Sequence, residues 1–382
     1  MKKLAIIGAS YLQVPLIEKA KSMNIETHVF AWEVGDVGEK IADFFYPISI
    51  IDKDIILEKC REICVDGICT IASDLAVITV NYVADRLGLI GNSLDATRYS
   101  TNKNSMRKQF ELNGDPSPKS LLVYSPNDLK DINLHYPVIV KPVDRSGSRG
   151  ITKLENESGL IEAVEVAKEQ GFTKAALVEE YVLGQEYSVE YISYNGKHEF
   201  LALTKKFTTG APHFIETGHI QPAAVNEETL ERIKAVITHA LDSLQITNGA
   251  SHSEIKINGD EIRLIEIGGR MGGDFIGSHM VKITTGVDFV KAVIQIALGD
   301  EPDLSIMNKP MAAGVRFVFD ENDINIFNKI KLEHPEYIVE YDIHNIDSCP
   351  VTDSGSRHGY YLLQANNLTD IMNYMPNEGT DQ

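Results

Sequence analysis

The sequence predicts a chain of mixed α/β and α+β architecture, and three observations support that prediction. Its 382 residues suggest two or three domains. Strand and helix patterns alternate over residues 1 to about 95, which is typical of a parallel sheet with helices on both faces. Further along, the dipeptides Asn195-Gly196 and Asn258-Gly259 lie between strand-like runs, which indicates antiparallel hairpins.

The N-terminal alternation begins with the apolar run KLAIIGA, which predicts a buried strand. Helical spacing over residues 12–23 and the strand-like segment ETHVF follow. We then expect a helix at residues 55–64, a strand in GICTIAS and a helix at residues 76–87. Gly8 ends the first strand where a dinucleotide fingerprint would begin, but GASYLQ lacks its second and third glycines. We therefore expect no NAD site, and a scaffold domain that contributes one loop to a substrate site.

Composition and charge narrow the class of protein. The formal net charge of -19 argues against non-specific binding to nucleic acid and against an anionic membrane surface. The four cysteines fit no zinc signature, and three of them, Cys60, Cys64 and Cys69, resemble small buried hydrophobic residues. The apolar run after Met1 ends at Ser10 without a cleavage site, and no segment is long enough to span a membrane. We expect a cytoplasmic protein.

The segment SHSEIKINGDEIRLIEIGGRMGGD, residues 251–274, carries the strongest functional signal. Each of its two strand-like runs holds one carboxylate among apolar neighbours, Glu254 and Glu266, and Arg270 follows in a glycine-rich exit. Two adjacent buried carboxylates are costly unless a cation lies between them. Two oxygen ligands that face phosphates are a common way to hold Mg²⁺. The segment predicts a magnesium–nucleotide site, with Arg270 reaching a phosphate; the alternative is an ordinary hairpin with solvent-facing glutamates.

The length of the hairpin loop decides whether the two carboxylates share a face. A two-residue loop would place Glu254 and Glu266 on opposite faces, because side chains alternate along a strand. A three-residue loop, residues 259–261, would place them directly across from each other. We therefore predict the three-residue loop.

Two other segments have the composition of nucleotide-binding elements. Lys141 ends an apolar strand, where a lysine is costly unless it pairs with an anion, and the glycine-rich stretch DRSGSRGI follows. Such a loop can fold over phosphates, although it does not match the Walker pattern. The hinge at residues 179–182 could read an adenine edge and Glu186 could accept from ribose hydroxyls; the alternative is a charged strand edge.

The remaining segments are less specific. Residues 96–118 form a polar, basic connector that includes Lys103, for which the alternative is a solvated helix face. Residues 207–223, FTTGAPHFIETGHIQPA, are expected to form an irregular loop, and long loops inside a compact domain are often functional. Residues 303–382 predict a smaller α+β region.

Taken in order, these features resemble the ATP-grasp superfamily, and the resemblance covers nearly the whole chain. It implies a Rossmann-like pre-ATP-grasp domain at residues 1–95. An ATP-grasp fold of two α+β subdomains, about 120–180 and 181–302, would occupy residues 96–302. A small C-terminal α+β lobe would occupy residues 303–382.

The resemblance also implies roles for individual residues. Lys103 and Lys141 would contact the phosphates of ATP, and Glu254 and Glu266 would bind Mg²⁺, with Mn²⁺ as a substitute. Arg270 and Lys141 would be catalytic, with Arg270 at an acyl phosphate. The other nucleotide contacts would be Ser146, Gly147, Ser148 and Gly150 over the phosphates, Glu179, Tyr181 and Val182 at adenine, and Glu186 at the ribose. One departure is Gly268, where many members place an asparagine as an extra metal ligand.

EIGGRMGGD and PHFIETGHIQPA are most similar to the amino-acid ligase branch of this superfamily. That branch implies an ATP-dependent carboxylate–amine ligase that releases ADP and phosphate, with small-molecule carboxylate and amine substrates. His213, Glu216 and His219 become candidate substrate contacts, and the resemblance also allows a homodimer. The alternatives are a bicarbonate-using, carboxylase-like or purine-biosynthesis enzyme, a non-catalytic ATP-binding regulator, and a ligase acting on a peptide or protein terminus.

Overall fold

The structure is a computed structural model that describes residues 1–130, 132–145, 147, 149–211, 214–346 and 351–377. Within these residues the chain forms three β-sheets with helices packed against them, one sheet parallel and two antiparallel. This arrangement confirms the predicted mixed α/β and α+β fold class.

The first sheet is parallel, as the alternating pattern predicts, with strand order β3-β2-β1-β4. Residues 4–7 of its first strand are fully buried, because helices cover both faces of the sheet. The elements of this region are β1 (Lys3–Ile7), α1 (Val14–Ser22), β2 (Glu26–Ala31), α2 (Val37–Ile41), β3 (Phe44–Pro47), α3 (Lys53–Ile63), β4 (Gly67–Cys69) and α4 (Asp74–Leu87).

The structure differs from the prediction for this region in two respects. It contains two short elements that were not predicted, α2 and β3. The strand β3 gives a weak signal in the sequence because it has only four residues, lies at the edge of the sheet and has no buried side chains. Cys64 is exposed at the C-terminal end of α3, in a left-handed backbone conformation, so only Cys60 and Cys69 are buried as expected.

Most of the predicted connector at residues 96–118 is helical. The helices are α5 (Leu94–Thr101) and α6 (Lys103–Asn113). The side chain of Asn102 caps α6 by accepting from the backbone N–H of Ser105 at 2.9 Å. Met106 and Phe110 on α6 are fully buried, and Lys103 shares their burial. The alternative of a solvated face for Lys103 is therefore wrong.

The second sheet is antiparallel, with strand order β5-β8-β6-β7, and one helix covers it. Its elements are β5 (Ser120–Val123), β6 (Val138–Pro142), β7 (Thr152–Leu154), α7 (Leu160–Gln170) and β8 (Ala176–Glu180). Val164 and Ala167 of the helix pack on Val138, Val140 and Val178 of the sheet. The sheet places Lys141 on β6 beside β8.

The third sheet is a long antiparallel one, ordered β13-β12-β9-β10-β11-β14-β16-β15. Its strands after residue 303 continue the sheet formed by those before it, and the predicted domain boundaries stay predictions. Its elements are β9 (Gln185–Tyr194), β10 (Lys197–Thr208), β11 (Glu216–Gln221), α8 (Glu227–Ser243), β12 (Gly249–Asn258), β13 (Glu261–Gly268), α9 (Val281–Thr285), α10 (Phe289–Ala297), β14 (Ala312–Phe317), α11 (Glu321–Glu333), β15 (Ile338–Ile343), β16 (Gly359–Ala365) and α12 (Leu368–Met372).

The expectation of an irregular loop over residues 207–223 is wrong, because β11 lies within it. This strand pairs with β10 on one side and with β14 on the other. Glycine and proline near the run ETGHIQ hide the strand signal in the sequence. Two neighbouring strands supply the hydrogen bonds that stabilise it, and Glu216 and His219 therefore lie on a strand.

The hairpin of β12 and β13 has a different loop length from the one predicted, but it places Glu254 across from Glu266 as predicted. Asn258 pairs with Glu261, so the loop has two residues and the predicted three-residue loop is wrong. A β-bulge shifts the register between Glu254 and Ile255, so that Ile255 pairs with Leu264 while Glu254 pairs with Glu266. The two carboxylates therefore share one face of the sheet.

No helix among the described residues combines the length and the apolar character that crossing a membrane requires.

Candidate active site

A cavity of about 420 Å³ gathers most of the predicted site residues. It is lined by Lys103, Lys141, Gly147, Glu179, Tyr181, Val182, Glu186, Glu216, His219, Glu254, Glu266 and Arg270. Gly150 belongs to the same glycine-rich stretch but is not part of the lining. Ser146, Ser148 and His213 lie outside the described residues.

The paired carboxylates, Glu254 and Glu266, each form an ion pair with a lysine. Lys206 Nζ lies 2.6 Å from Glu254 Oε1, and Lys103 Nζ lies 2.7 Å from Glu266 Oε1. The two glutamate side chains are about one quarter exposed, 24% and 26%, so both are accessible from the cavity. Mg²⁺ is commonly held by one or two carboxylates together with water and substrate phosphates, and this oxygen pair fits such an ion. The described residues contain no cluster of three or more side chains suited to a metal.

Cations surround the predicted phosphate site. The lysine cluster consists of Lys103, Arg107, Lys141, Glu179 and Glu266. In it Glu179 accepts from Lys141 at 2.6 Å and lies 2.9 Å from the Nε of Arg107. Burial lowers the pKa of Lys141, with Glu179 opposing that shift. Burial would raise the pKa of Glu179, but Arg107 and Lys141 outweigh it and hold the pKa low. The Glu179 carboxylate is therefore committed to ion pairs with Arg107 and Lys141.

The hinge at residues 179–182, for which an adenine contact is predicted, is flanked by two further lysines that the sequence analysis did not single out. Lys153 Nζ lies 4.2 Å from the centre of the Tyr181 ring and Lys256 Nζ lies 4.9 Å from it. Cations at these distances are attracted to the negative face of an aromatic ring. The hinge tyrosine is therefore held in a cationic environment.

Lys206 is a buried cation that the sequence analysis missed. Besides Glu254, it pairs with Glu186 at 2.9 Å and lies 3.6 Å from Glu216. Although burial favours the neutral amine, Glu186 and Glu254 raise the pKa of Lys206 well above its usual value. Lys206 follows Lys205 in sequence. The signal that could have indicated which of the two faces inward is the alternation of side-chain direction along β10.

A buried histidine–glutamate pair links the hairpin to the glycine-rich exit. Glu190 is fully buried and hydrogen-bonds both His252 Nδ1 and the backbone N–H of Gly272, the latter at 3.0 Å. Burial opposes the charged form of His252, but Glu190 raises its pKa to about 9. A Cβ at Gly272 would lie 2.7 Å from His252 Nδ1, so the close approach requires glycine.

Two arginine–aspartate pairs line the same cavity, and we call them the arginine cluster. Arg270 donates from Nε and Nη2 to the two carboxylate oxygens of Asp74, both at 2.8 Å. Arg357 donates to the two oxygens of Asp274 at 2.9 and 3.0 Å, and its guanidinium lies 3.6 Å from the centre of the Phe317 ring. Sequence reasoning found only Arg270 among these four ionised residues.

The predicted substrate contacts lie beside this cluster. His219 Nε2 is 4.0 Å from Asp274, and burial lowers the pKa of His219. Glu216 accepts from the hydroxyl of Ser354 at 2.8 Å. Tyr11, from the first loop of the parallel sheet, also lines the cavity, and burial raises its pKa to about 12. The N-terminal region was expected to contribute one loop, but it contributes two segments to the cavity, the loop after β1 and the residues at the start of α4.

Comparisons with known proteins agree with this geometry. The model of an ATP-grasp domain matches residues 134–278. An alanine–anticapsin ligase of Bacillus subtilis is 28% identical over 70% of this chain and 64% of that protein. Dapdiamide A synthase of Enterobacter agglomerans is 28% identical over 53% of this chain and 50% of its own length. The chain thus spans less than two thirds of these curated relatives.

Solved structures share the fold over almost the whole chain. The L-amino acid ligase from Bacillus licheniformis has a TM-score of 0.82 at 22% identity, covering 98% of this chain and 96% of its own. N5-carboxyaminoimidazole synthetase from Staphylococcus aureus complexed with ADP has a TM-score of 0.77 at 16% identity, covering 97% and 95%. At these identities the likeness establishes the fold alone. Residues 134–278 thus match an ATP-grasp domain, and the chain as a whole is similar in sequence and in fold to carboxylate–amine ligases that contain such a domain.

Proposed function

We propose that this chain is an ATP-dependent ligase that joins a carboxylate to an amine through an acyl phosphate and releases ADP and phosphate. We propose amino acids as its substrates. The observation that carries the proposal is the register that sets Glu254 opposite Glu266, in one cavity with Lys103, Lys141 and Arg270. Paired oxygens beside several cations suit the transfer of a phosphoryl group.

The lysine cluster would bind the phosphates. Burial opposes the charged form of Lys103, yet Glu266 raises its pKa, so the amine stays protonated at neutral pH. Lys103 Nζ also donates to the backbone carbonyl of Arg145 at 2.8 Å, which ties α6 to the glycine-rich stretch. Gly147 and Gly150 have φ of 74° and 68°, and this backbone could close over phosphates with Ser146 and Ser148.

The rest of the nucleotide would occupy the hinge. We propose that adenine lies against Tyr181 with backbone contacts from Glu179 and Val182, and that Glu186 accepts from the ribose hydroxyls. Glu254 and Glu266 would hold Mg²⁺, or Mn²⁺ in its place. A bound ion would neutralise charge on the phosphates during transfer.

The chemistry divides into two displacements. A carboxylate oxygen of the first substrate attacks the terminal phosphorus of ATP, and the bond to the ADP oxygen breaks. The nitrogen of the second substrate then attacks the acyl carbon, loses a proton, and displaces phosphate as the amide bond forms. Arg270 would stabilise the negative oxygens of the acyl phosphate, since preformed donors are most effective where charge develops.

The arginine cluster supports amino acids as substrates. Its two arginines are balanced by two aspartates, so the cavity wall offers both signs of charge to a zwitterion. Glu216, His219 and His213 are proposed as contacts for the same substrate. Burial keeps His219 neutral at physiological pH, so it can serve as either donor or acceptor.

The test is release of ADP and phosphate by the purified protein with ATP and Mg²⁺, across single amino acids, amino-acid pairs and bicarbonate. The proposal expects release that requires an amino-acid pair and is lost in Glu266→Ala. Glu261→Ala is the matched control, because that carboxylate lies on the same strand, 60% exposed. Release with bicarbonate alone would instead favour a carboxylase-like enzyme, and AMP with pyrophosphate would contradict the acyl-phosphate route.

A further inference from the structure

Gly268 is the position in the hairpin where a side chain has no room. A Cβ built there would lie 2.8 Å from Oδ1 of Asp74 and 3.3 Å from the guanidinium carbon of Arg270. Real Cβ atoms do not approach other heavy atoms as closely as 2.8 Å. The space beside β13 is therefore filled by an aspartate at the start of helix α4, 196 residues away in sequence from Arg270.

Displacing the Asp74 carboxylate to make room for a side chain at residue 268 would break favourable interactions. Both of its oxygens accept from Arg270 at 2.8 Å, a bidentate geometry that fixes the carboxylate in two directions. Asp74 is also the first residue of α4, where the hydroxyl of Ser73 caps the helix by accepting from the backbone N–H of Ala76. The helix start and the ion pair together determine where the carboxylate lies.

A second contact docks the same two segments. The backbone N–H of Ala72 donates to the carbonyl of Met271 at 3.2 Å, one residue beyond Arg270. The side-chain amide of Gln13 in turn donates to the carbonyl of Ile71 at 2.8 Å, which anchors this loop within the parallel sheet's region. The loop before α4 therefore holds the exit of β13 at two points.

The pairing leaves Arg270 able to bind an anion. Its Nε and Nη2 donate to Asp74, and Nη1 donates to the carbonyl of Met271 at 3.3 Å. A guanidinium has five N–H donors, so one remains on each terminal nitrogen. The side chain is 14% exposed, toward the cavity.

We propose that Asp74 is a positioning residue that orients Arg270 toward the reacting phosphoryl and acyl oxygens. In this arrangement the absence of a side chain at Gly268 leaves the space that the Asp74 carboxylate occupies. The proposal rests on the proposed function, because it assumes that Arg270 acts on those oxygens. It makes the N-terminal region part of the catalytic apparatus: the arginine is carried by the hairpin exit, but its direction is set by α4.

The first test uses the amino-acid pair that gives the fastest phosphate release with the wild-type protein. Asp74→Asn and Gly268→Ala should each lower kcat by about 10- to 100-fold, the range expected for a misplaced catalytic group, with the KM for ATP unchanged. Asp74→Ala combined with Gly268→Ala should be no slower than Asp74→Ala alone, because the methyl group then occupies the vacated space. Asp85→Asn is the control, because Asp85 is an exposed carboxylate on the same helix and forms an ion pair with its neighbour Arg86.

A second measurement does not depend on turnover. Aluminium fluoride with MgADP mimics a phosphoryl group in transfer, and calorimetry should show that it tightens MgADP binding to the wild type. Asp74→Asn should lose that increase while it retains the affinity for MgADP alone. Equal tightening in Asp74→Asn and wild type, or losses in Asp74→Ala and Gly268→Ala that simply multiply, would overturn the assignment of Asp74. An absence of tightening in the wild type would count instead against the role proposed for Arg270.

Discussion

The lysine cluster and the arginine cluster lie at one cavity, which all of their members except the buried Arg107 line, but the two clusters differ in charge balance. The lysine cluster sets three cations, Lys103, Arg107 and Lys141, against two carboxylates, so it carries an excess positive charge. The arginine cluster sets two arginines against two aspartates and is balanced. An excess of cations suits a polyanion such as a nucleotide phosphate, whereas a balanced set suits a zwitterion. We propose that the two clusters bind different ligands, the nucleotide phosphates and the amino-acid substrates, and the following predictions test that division.

The largest effect is expected at the carboxylate pair beside the lysine cluster. Glu266→Gln should lower the rate of phosphate release by about 100- to 1,000-fold, because it removes a charge that supports phosphoryl transfer. Turnover is measured with saturating ATP and the preferred amino-acid pair, and Glu261→Gln serves as the control. A loss below threefold would mean that the pair does not hold the metal.

The next largest effect is expected at Lys141, where a substitution should change both the free energy of unfolding and the affinity for ATP. Lys141→Met should reduce the free energy of unfolding by about 2 to 3 kcal/mol, because Glu179 stays buried with only Arg107 to neutralise it. Urea unfolding measures this loss, and equilibrium titration should show weaker ATP binding. Lys108→Met, at an exposed position of α6, should change neither quantity. Normal ATP affinity in Lys141→Met would separate the lysine cluster from the nucleotide.

A smaller and different effect is expected in the arginine cluster. Asp274→Asn weakens the hold on Arg357, so the KM for the amino-acid substrates should rise about tenfold while the KM for ATP stays the same. Steady-state kinetics with each substrate varied in turn provides the measurement. A rise in the KM for ATP of equal size would remove the distinction between the two clusters.

The same aspartate predicts a pH dependence of stability. Burial would raise the pKa of Asp274, but Arg357 outweighs it and holds the pKa below its ordinary range. The ion pair therefore contributes fully above the unfolded pKa of about 3.9, and its contribution is lost as the pH falls through the lower folded pKa. Wild-type unfolding free energy should drop more steeply below pH 4 than that of Asp274→Asn. Parallel curves would contradict this, and Asp260→Asn, at an exposed turn, should follow the wild type.

The smallest effect is expected where the glycine-rich stretch meets the C-terminal region. Arg149 Nε lies 3.9 Å from Asp353, and the two side chains are 46% and 33% exposed. Exposed pairs at this distance contribute little, so Arg149→Ala should change the KM for ATP by only about two- to fivefold. A much larger change would show that the two regions are coupled during ATP binding.

Local pattern was enough to predict much of the fold and two members of the lysine cluster, Lys141 and Glu266. Charged residues among apolar neighbours in strand-like runs identified Lys141, Glu254 and Glu266, because a charge buried in such a run is costly without a partner. The alternation of the first 95 residues predicted the parallel sheet. The hairpin loop was wrong because a β-bulge, which the pattern does not reveal, corrects the register that a two-residue loop would otherwise give.

The arginine cluster could not be predicted in the same way. Asp74 is the first residue of a helix whose sequence has no unusual feature. Its proposed role depends on an ion pair with Arg270, which lies 196 residues away in sequence. Arg357 and Asp274 are 83 residues apart, and Glu190 and His252 are 62 apart. Each of these residues looks like a surface charge in its own segment. Their roles depend on tertiary packing, to which the sequence offers no periodic signal.

The most direct test of the central claim follows one oxygen atom. The preferred carboxylate substrate is labelled with oxygen-18 in its carboxyl group and turned over with ATP, Mg²⁺ and the amine. An acyl phosphate requires one labelled oxygen to leave with the phosphate, and mass spectrometry of the released phosphate should find it there alongside unlabelled ADP. Unlabelled phosphate, or label in AMP, would show that the carboxylate is not activated by transfer of the terminal phosphoryl group.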